Sequence, residues 1–237
     1  MPSRPTVLVV LLGDPGPAVR AAQGGFDRWF TDGLEPAAEV RLVRRHEVRE
    51  AAAGADGVVV TGSYASVTER APWMVALGEA LLDASARTPV LGVCFGHQLL
   101  AAALGGTVER NARGPEVGTR EVLLTAAGRE DGLFAGLPER LAVQQFHEDH
   151  VAAVPPGAVL LATGDHTPVQ AFASGPRLRA VQFHPEFDAV RTRAMADEER
   201  AWIERDGRGN HAEVVATIRE TPEAAGFLRS WVARFVR

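Results

Sequence analysis

The sequence predicts an α/β domain built on a mostly parallel sheet, and three observations carry that prediction. Short apolar runs without polar alternation recur at Thr6–Leu12, Gly57–Thr61 and Val90–Val93, the pattern of strands buried on both faces. Stretches of helical length and period separate them, as in repeated strand–helix units. Two of the runs lead into tight small-residue turns, Thr61-Gly62-Ser63 and Cys94-Phe95-Gly96. Sheets of this kind bind ligands at the carboxyl ends of their strands, where both turns fall.

Taken in order, Thr6–Leu12 is the first strand and Ala18–Thr31 a helix. Glu39–Val43 and Gly57–Thr61 are the second and third strands, followed by a helix over Ala71–Ser85 that carries Gly78 inside it. Val90–Val93 then feeds a turn and a helix over His97–Leu104, which Gly105-Gly106 closes as a C-cap. From Thr107 to Gln182 the pattern changes to short β runs: Val117–Leu124, Leu141–Gln145, Ala158–Ala162, Val169–Ala173 and Arg179–Gln182. Glycine and proline turns separate them. The remainder reads as helical over Phe187–Arg205 and Asn210–Arg237. No repeat, low-complexity tract or linker interrupts the chain, so residues 1–237 are expected to form one domain. Its chemistry-bearing motifs lie within 7–187 and its C-terminal helices over 188–237.

Composition limits what such a domain does. An apolar content of 46% over 237 residues is enough for a full core in one domain. Lys and Arg number 25 against 30 Asp and Glu, a net charge of −5. Without a basic cluster, binding to nucleic acid has no electrostatic support. No apolar run is long enough to span a membrane and no signal peptide is evident. One cysteine excludes an internal disulfide and makes a thiolate zinc site implausible. A reducing, cytoplasmic compartment is expected, with neither metal nor cofactor.

That lone cysteine sits in the most informative segment of the chain. Gly92-Val93-Cys94-Phe95-Gly96 has the form of a nucleophile elbow, a sharp strand-to-helix turn that holds a reactive side chain above a sheet. The helix N-terminus beneath it favours a thiolate. Far downstream, Phe183-His184-Pro185-Glu186-Phe187 ends an apolar strand. His184 and Glu186 are two residues apart, so strand alternation turns both side chains to one side. A histidine so placed can exchange a proton with a thiol, and a neighbouring carboxylate can orient the ring and stabilise the imidazolium. Pro185, lacking an N–H, suits the point where strand pairing stops. The candidate catalytic set is Cys94, His184 and Glu186.

Gly92-Val-Cys-Phe-Gly-His-Gln98 and Phe183-His-Pro-Glu186 resemble the class I glutamine amidotransferase superfamily, and within it the stand-alone GMP-synthase-like amidotransferases. The likeness runs from about Val7 to Phe187. It implies a flavodoxin-like three-layer sandwich and a cysteine that attacks the side-chain amide of glutamine. Ammonia leaves, and water hydrolyses the γ-glutamyl thioester. Carried over by position, Cys94 is the nucleophile, His184 the general base and Glu186 its orienter. The backbone N–H of Phe95 and one from the Gly62 loop would form the oxyanion hole. In this chain the loop reads Thr61-Gly-Ser-Tyr64, whereas many relatives have a Gly-Gly-Pro or Pro-Gly type, so that assignment rests mainly on geometry.

The resemblance also implies substrate contacts. Gln98 matches a position that touches bound glutamine, and Ser63 belongs to the loop facing it. Glu116, in Gly114-Pro-Glu-Val-Gly118, matches a loop near the glutamine pocket, but reads equally as a solvated turn residue. His147, in Gln144-Gln-Phe-His-Glu-Asp-His150, falls in a polar loop beside the substrate channel. His147 and His150 would suit a metal if the segment were helical, yet the run before them reads as a strand. His97 is expected to close the start of the elbow helix by hydrogen bonding rather than serve as a second base. Many relatives pair with a synthetase domain or subunit, and this sequence shows no glycine-rich ATP loop. Any ammonia acceptor is therefore expected to be a separate protein. Two other readings stay open: a γ-glutamyl peptidase using the same acyl chemistry, and a non-catalytic binding module.

Overall fold

A computed structural model describes residues 4–236 of the chain. Strands β1 (Thr6–Leu11), β2 (Glu39–Arg44), β3 (Gly57–Val60), β4 (Val90–Val93) and β11 (Leu178–Val181) lie side by side in the order β2-β1-β3-β4-β11, all parallel. The sheet continues through β10 (Ala171–Ser174), β9 (Val159–Gly164), β6 (Glu116–Leu124) and β7 (Arg140–His147), each antiparallel to its neighbour. The expected α/β sandwich is thus present, and its parallel half is the half that bears the elbow.

Both faces of the parallel half are covered. Val7 and Val9 of β1 point into a layer with Trp29, Phe30 and Trp231, whereas Leu8 and Val10 point into the opposite layer with Leu77, Leu81 and Leu100. Burial on both sides is why β1, β3 and β4 read as apolar runs. The helices Phe26–Leu34 and Phe227–Phe235 pack on the first face; Pro72–Ser85 and the elbow helix Phe95–Ala103 pack on the second.

Several boundaries depart from the sequence reading. The stretch read as one helix over Ala18–Thr31 is two, Pro17–Gln23 and Phe26–Leu34, separated at Gly24-Gly25. Gly24 has φ +83°, a left-handed conformation that ends the first helix. Two strands were not legible: β5 (Thr107–Arg110) and β8 (Asp149–Ala153) form a separate antiparallel pair. The C-terminal region is not two long helices but shorter pieces, Ala189–Glu198, Arg200–Ile203, His211–Thr217 and Phe227–Phe235. Asp206, at φ 60°, lies in the turn between the second and third. Arg237, the last residue of the expected second helix, lies outside the described residues. Among the described residues no helix is long and apolar enough to cross a membrane.

Candidate active site

Register brings the two sequence motifs together. Val60 of β3 pairs with Gly92 of β4, and Val93 of β4 pairs with Val181 of β11, so the three strands end nearly level. Gly62, Cys94 and His184 follow these ends. The Cys94 N–H donates to the Val181 carbonyl at 2.9 Å, which ties the elbow to the strand that leads to His184.

Cys94 adopts φ 52° and ψ −104°, a conformation that costs a non-glycine residue on the order of 1–3 kcal/mol. Two glycines make the turn sterically possible. A Cβ on Gly92 would stand 2.6 Å from the Gly96 carbonyl oxygen, and one on Gly96 would stand 2.6 Å from the Val60 carbonyl oxygen. The helix therefore rises directly against β3 and β4, with Cys94 at its N-cap and Phe95 as its first residue. Early helical N–H groups lack intrahelical partners, so the Phe95 N–H is free beside the thiol. Gly62 lies next to both reacting groups: a Cβ there would be 3.1 Å from His184 Cε1 and 3.8 Å from Cys94 Cβ. Gly62 and Phe95 thus flank Cys94.

His184 and Glu186 are both buried, and His184 Nδ1–H donates to Glu186 Oε1 at 2.7 Å. The other carboxylate oxygen makes no hydrogen bond among the described residues, so the imidazole is the carboxylate's partner there. This bond fixes the ring's orientation and leaves Nε2 as the ring nitrogen toward Cys94. Burial acts to lower the His184 pKa, but the charge of Glu186 and the neighbouring Cys94 outweigh it and raise the value to about 10. The folded protein therefore favours the protonated ring. The Cys94 thiol also approaches the Phe146 carbonyl at 3.8 Å.

Cys94, His184 and Gly62 open onto a cavity of about 510 Å³, whose lining includes Ser63, Gln98 and His147. Gln98, in the first turn of the elbow helix, donates through Nε2 to the Asp149 carbonyl at 2.6 Å and to Gln182 Oε1 at 3.2 Å. Ser63 Oγ accepts the Ala65 N–H at 3.2 Å and shapes the loop.

Glu116 is placed differently from the substrate ligand expected of it. It is buried behind the cavity and does not line it. Its Oε2 accepts from Gln170 Nε2 at 3.1 Å and stands 3.1 Å from His147 Nε2, off the line of the ring N–H. Burial raises the Glu116 pKa, and the His147 and Thr167 contacts outweigh it, so the carboxyl stays charged below its usual range. His147 Nδ1–H donates to the same Asp149 carbonyl that Gln98 holds, at 3.0 Å. Glu116 therefore supports the cavity wall through His147 rather than meeting a ligand.

The remaining histidines near the cavity lie in strands and in the core. His147 ends β7 and His150 lies in β8, where it faces Glu109 at 3.8 Å; the two do not share a helical face as metal ligands would. His97 is fully buried against Phe172, with ring centroids 5.1 Å apart. The Gln182 amide faces its ring without reaching hydrogen-bond geometry. Burial, and then the charge of His147, lower its pKa to about 3. It is a neutral packing residue, not a second base.

A family model described as "Glutamine amidotransferase class-I" matches residues 30–197, most of the chain. The chain belongs to the class I glutamine amidotransferase family. It is 36% identical over 137 residues to gamma-glutamyl peptidase 5 of Arabidopsis thaliana, covering 56% of this chain and 54% of the peptidase. It is 42% identical over 139 residues to the glutamine-hydrolysing GMP synthase of Xanthomonas axonopodis pv. citri, covering 56% of this chain but 25% of that protein. The match thus spans about half of the peptidase and a quarter of the synthase. A solved glutamine amidotransferase from Thermotoga maritima superposes with a TM-score of 0.72 at 23% identity, covering 99% of each chain. At that identity the likeness speaks for the fold.

One part of the cavity gave no signal in the sequence. Met195, Glu199, Trp202 and Arg205 of the C-terminal segment also line the cavity. They lie in an irregular segment with no motif around them, and only the folded chain brings them beside residue 94. Glu148 lies at the same rim, gripped by Arg110 at 2.9 Å, Arg205 at 2.6 Å and Arg208 at 3.2 Å. These contacts join the β7–β8 turn to the C-terminal helices.

Proposed function

We propose that this chain hydrolyses the side-chain amide of glutamine through a γ-glutamyl thioester on Cys94. Ammonia is then released or passed to a separate synthetase. The observation that carries the reading is the shared position of Cys94, His184 and Gly62 at the level ends of β4, β11 and β3. The Cys94 sulfur attacks the γ-carbonyl carbon, and the resulting oxyanion is met by the N–H groups of Phe95 and Gly62. The His184 imidazolium gives its Nε2 proton to the amide nitrogen as the C–N bond breaks, with Glu186 holding the ring. The neutral ring then takes a proton from water as the water attacks the thioester, and glutamate leaves.

The test is covalent trapping. A diazo-ketone analogue of glutamine should add one mass equivalent to the wild type and none to Cys94→Ser, which should also lose glutamine turnover. Labelling that persists in Cys94→Ser would defeat the assignment.

A second reading has its own support. A cavity of about 510 Å³ is within the range that takes drug-sized ligands, so a γ-glutamyl peptide is also a candidate, as the peptidase relative suggests. Side-by-side kcat/KM values for glutamine and a γ-glutamyl dipeptide separate the two. A dipeptide preference above about tenfold, about 1.4 kcal/mol of transition-state binding, favours the peptidase.

A further inference from the structure

Glutamine carries a charged α-carboxylate into the cavity along with the amide that reacts. Taking that charge out of water is unfavourable unless cationic N–H donors meet it. Two of the residues that line the cavity, Arg110 and Arg205, are guanidinium cations at any working pH. The cavity histidines are engaged elsewhere, His184 with Glu186 and His147 with the Asp149 carbonyl.

Glu148 holds the two arginines together. Its Oε2 accepts from Arg110 at 2.9 Å and from Arg205 at 2.6 Å, so the two guanidinium heads share one oxygen. Its Oε1 accepts from Arg110 Nε at 2.9 Å and from Arg208 at 3.2 Å. The Glu148 side chain is only 9% exposed, and four donors saturate it. Three guanidiniums here face two carboxylates, Glu148 and the exposed Asp206, which leaves the cluster cationic. Arg110 uses Nε and one Nη on Glu148, and Arg205 one Nη, of the five N–H donors each possesses. Both forks keep donors for a second carboxylate.

The pair is also tied to the nucleophile. Arg110 lies opposite Asp149 in the β5–β8 register, and the Asp149 carbonyl accepts from Gln98. The Gln98 N–H donates to the Cys94 carbonyl at 3.1 Å, one helical turn from the thiol.

We propose that Arg110 and Arg205, held together by Glu148, receive the α-carboxylate of the glutamyl substrate. The proposal rests on the γ-glutamyl thioester reading above and adds what recognises the substrate's other end. Three carbons separate that carboxylate from the carbonyl that Cys94 attacks. The contact persists from bound substrate to transition state, so it acts on KM more than on kcat.

The experiment compares glutamine with L-glutaminamide, whose α-carboxylate is replaced by an uncharged carboxamide and whose reacting amide is unchanged. Product formation, glutamate or isoglutamine, gives kcat/KM for each. The wild type should prefer glutamine by roughly 10- to 100-fold, the factor a charge-assisted contact carries. Combining Arg110→Gln with Arg205→Gln should bring the ratio to within about threefold of one. The loss should fall on KM for glutamine, while kcat/KM for glutaminamide changes by less than about threefold. That retained glutaminamide activity shows that the variant is folded. Arg110→Lys, which keeps the charge but not the fork, should retain part of the preference. A wild type without preference overturns the proposal. So does a double variant that keeps the preference, or one that loses equally on both substrates, since the arginines would then only brace Glu148. If Cys94 takes the diazo-ketone label and both amides are hydrolysed equally well, the carboxylate receptor alone fails. If Cys94 is neither labelled nor active on either amide, the thioester reading fails and the receptor with it.

Discussion

The imidazole of His184 and the phenyl ring of Phe187 lie face to face, with centroids 4.1 Å apart and planes 19° from parallel. Phe187 is itself wedged, edge-on to Trp29 at 5.3 Å and tilted against Phe26 at 6.3 Å. One turn further on, Arg191 lies over the Trp29 ring and donates to the Glu186 carbonyl at 2.8 Å. The His–Glu pair thus rests on a fixed aromatic platform, which covers one face of the imidazole.

Phe187→Leu is therefore expected to act through the ring's charge as well as its position. A cation over an aromatic face gains about 0.5–2 kcal/mol, and one pKa unit corresponds to about 1.4 kcal/mol. The variant should lower the His184 pKa by up to about one unit and reduce kcat more than it raises KM. Phe187→Tyr should restore both. Histidine NMR titration alongside the pH dependence of thiol alkylation reads the shift. A kcat loss with the His184 titration unmoved would mean that Phe187 only fills space.

Much of this site was legible in the sequence because its signals are local. A glycine two residues to either side of Cys94 reports a clash within one turn, and His184 and Glu186 report a spacing of two along one strand. Strands β1, β3 and β4 were legible for a related reason, since each is a nearly unbroken apolar run. What was lost depends on distant contacts. β5 and β8 are short and carry Glu109, Arg110 and Asp149, so neither shows a clean alternation. The Glu116–His147 contact joins residues across a β6–β7 register, Glu116 opposite His147, which no local pattern encodes. Trp202 reached the cavity through a helix break at Glu199 that looked like continuous helix.

The raised His184 pKa makes a prediction about stability. Its ordinary value of 6.5 rises to about 10 in the folded protein, so the folded state holds that proton more tightly than the unfolded chain. The stabilising contribution is complete below about pH 6.5 and is lost as pH rises through about 10. Glu186→Gln removes the carboxylate that opposes burial. Its Tm should fall less steeply than that of the wild type between those limits, and its turnover should drop about 10- to 10⁴-fold. Calorimetry at several pH values reads the first effect. Parallel Tm slopes would show that Glu186 does not set the His184 proton.

The elbow glycines should differ in kind from other glycines. Gly96→Ala forces a methyl group against the Val60 carbonyl, at 2.6 Å before relaxation, and neither backbone can yield without moving the helix from the sheet. Overpacking of this type costs about 1–3 kcal/mol and should displace the thiol, so activity should fall further than stability. Gly105, with φ +83° and open space around it, should lose about 1 kcal/mol on substitution by alanine and keep its activity. Urea midpoints measured with turnover compare the two, and equal activity losses would contradict the elbow geometry.

The last prediction concerns Glu116, which never meets the cavity. Its carboxylate faces His147, His147 donates to the Asp149 carbonyl, and that carbonyl also holds Gln98 at the cavity wall. Glu116→Gln keeps the shape but takes away the charge opposite His147, leaving a buried group poorly paired at a cost of about 1–3 kcal/mol. The Gln98 side should loosen while Cys94, His184 and Glu186 stay in place. KM for glutamine should therefore rise several-fold with kcat changed by less than about twofold, because substrate-side binding is lost without a transition-state contact. Steady-state kinetics at saturating and limiting glutamine read the split. A fall in kcat as large as the rise in KM would place Glu116 in the chemistry itself, and would require a path from its carboxylate to the thiol other than the one through His147.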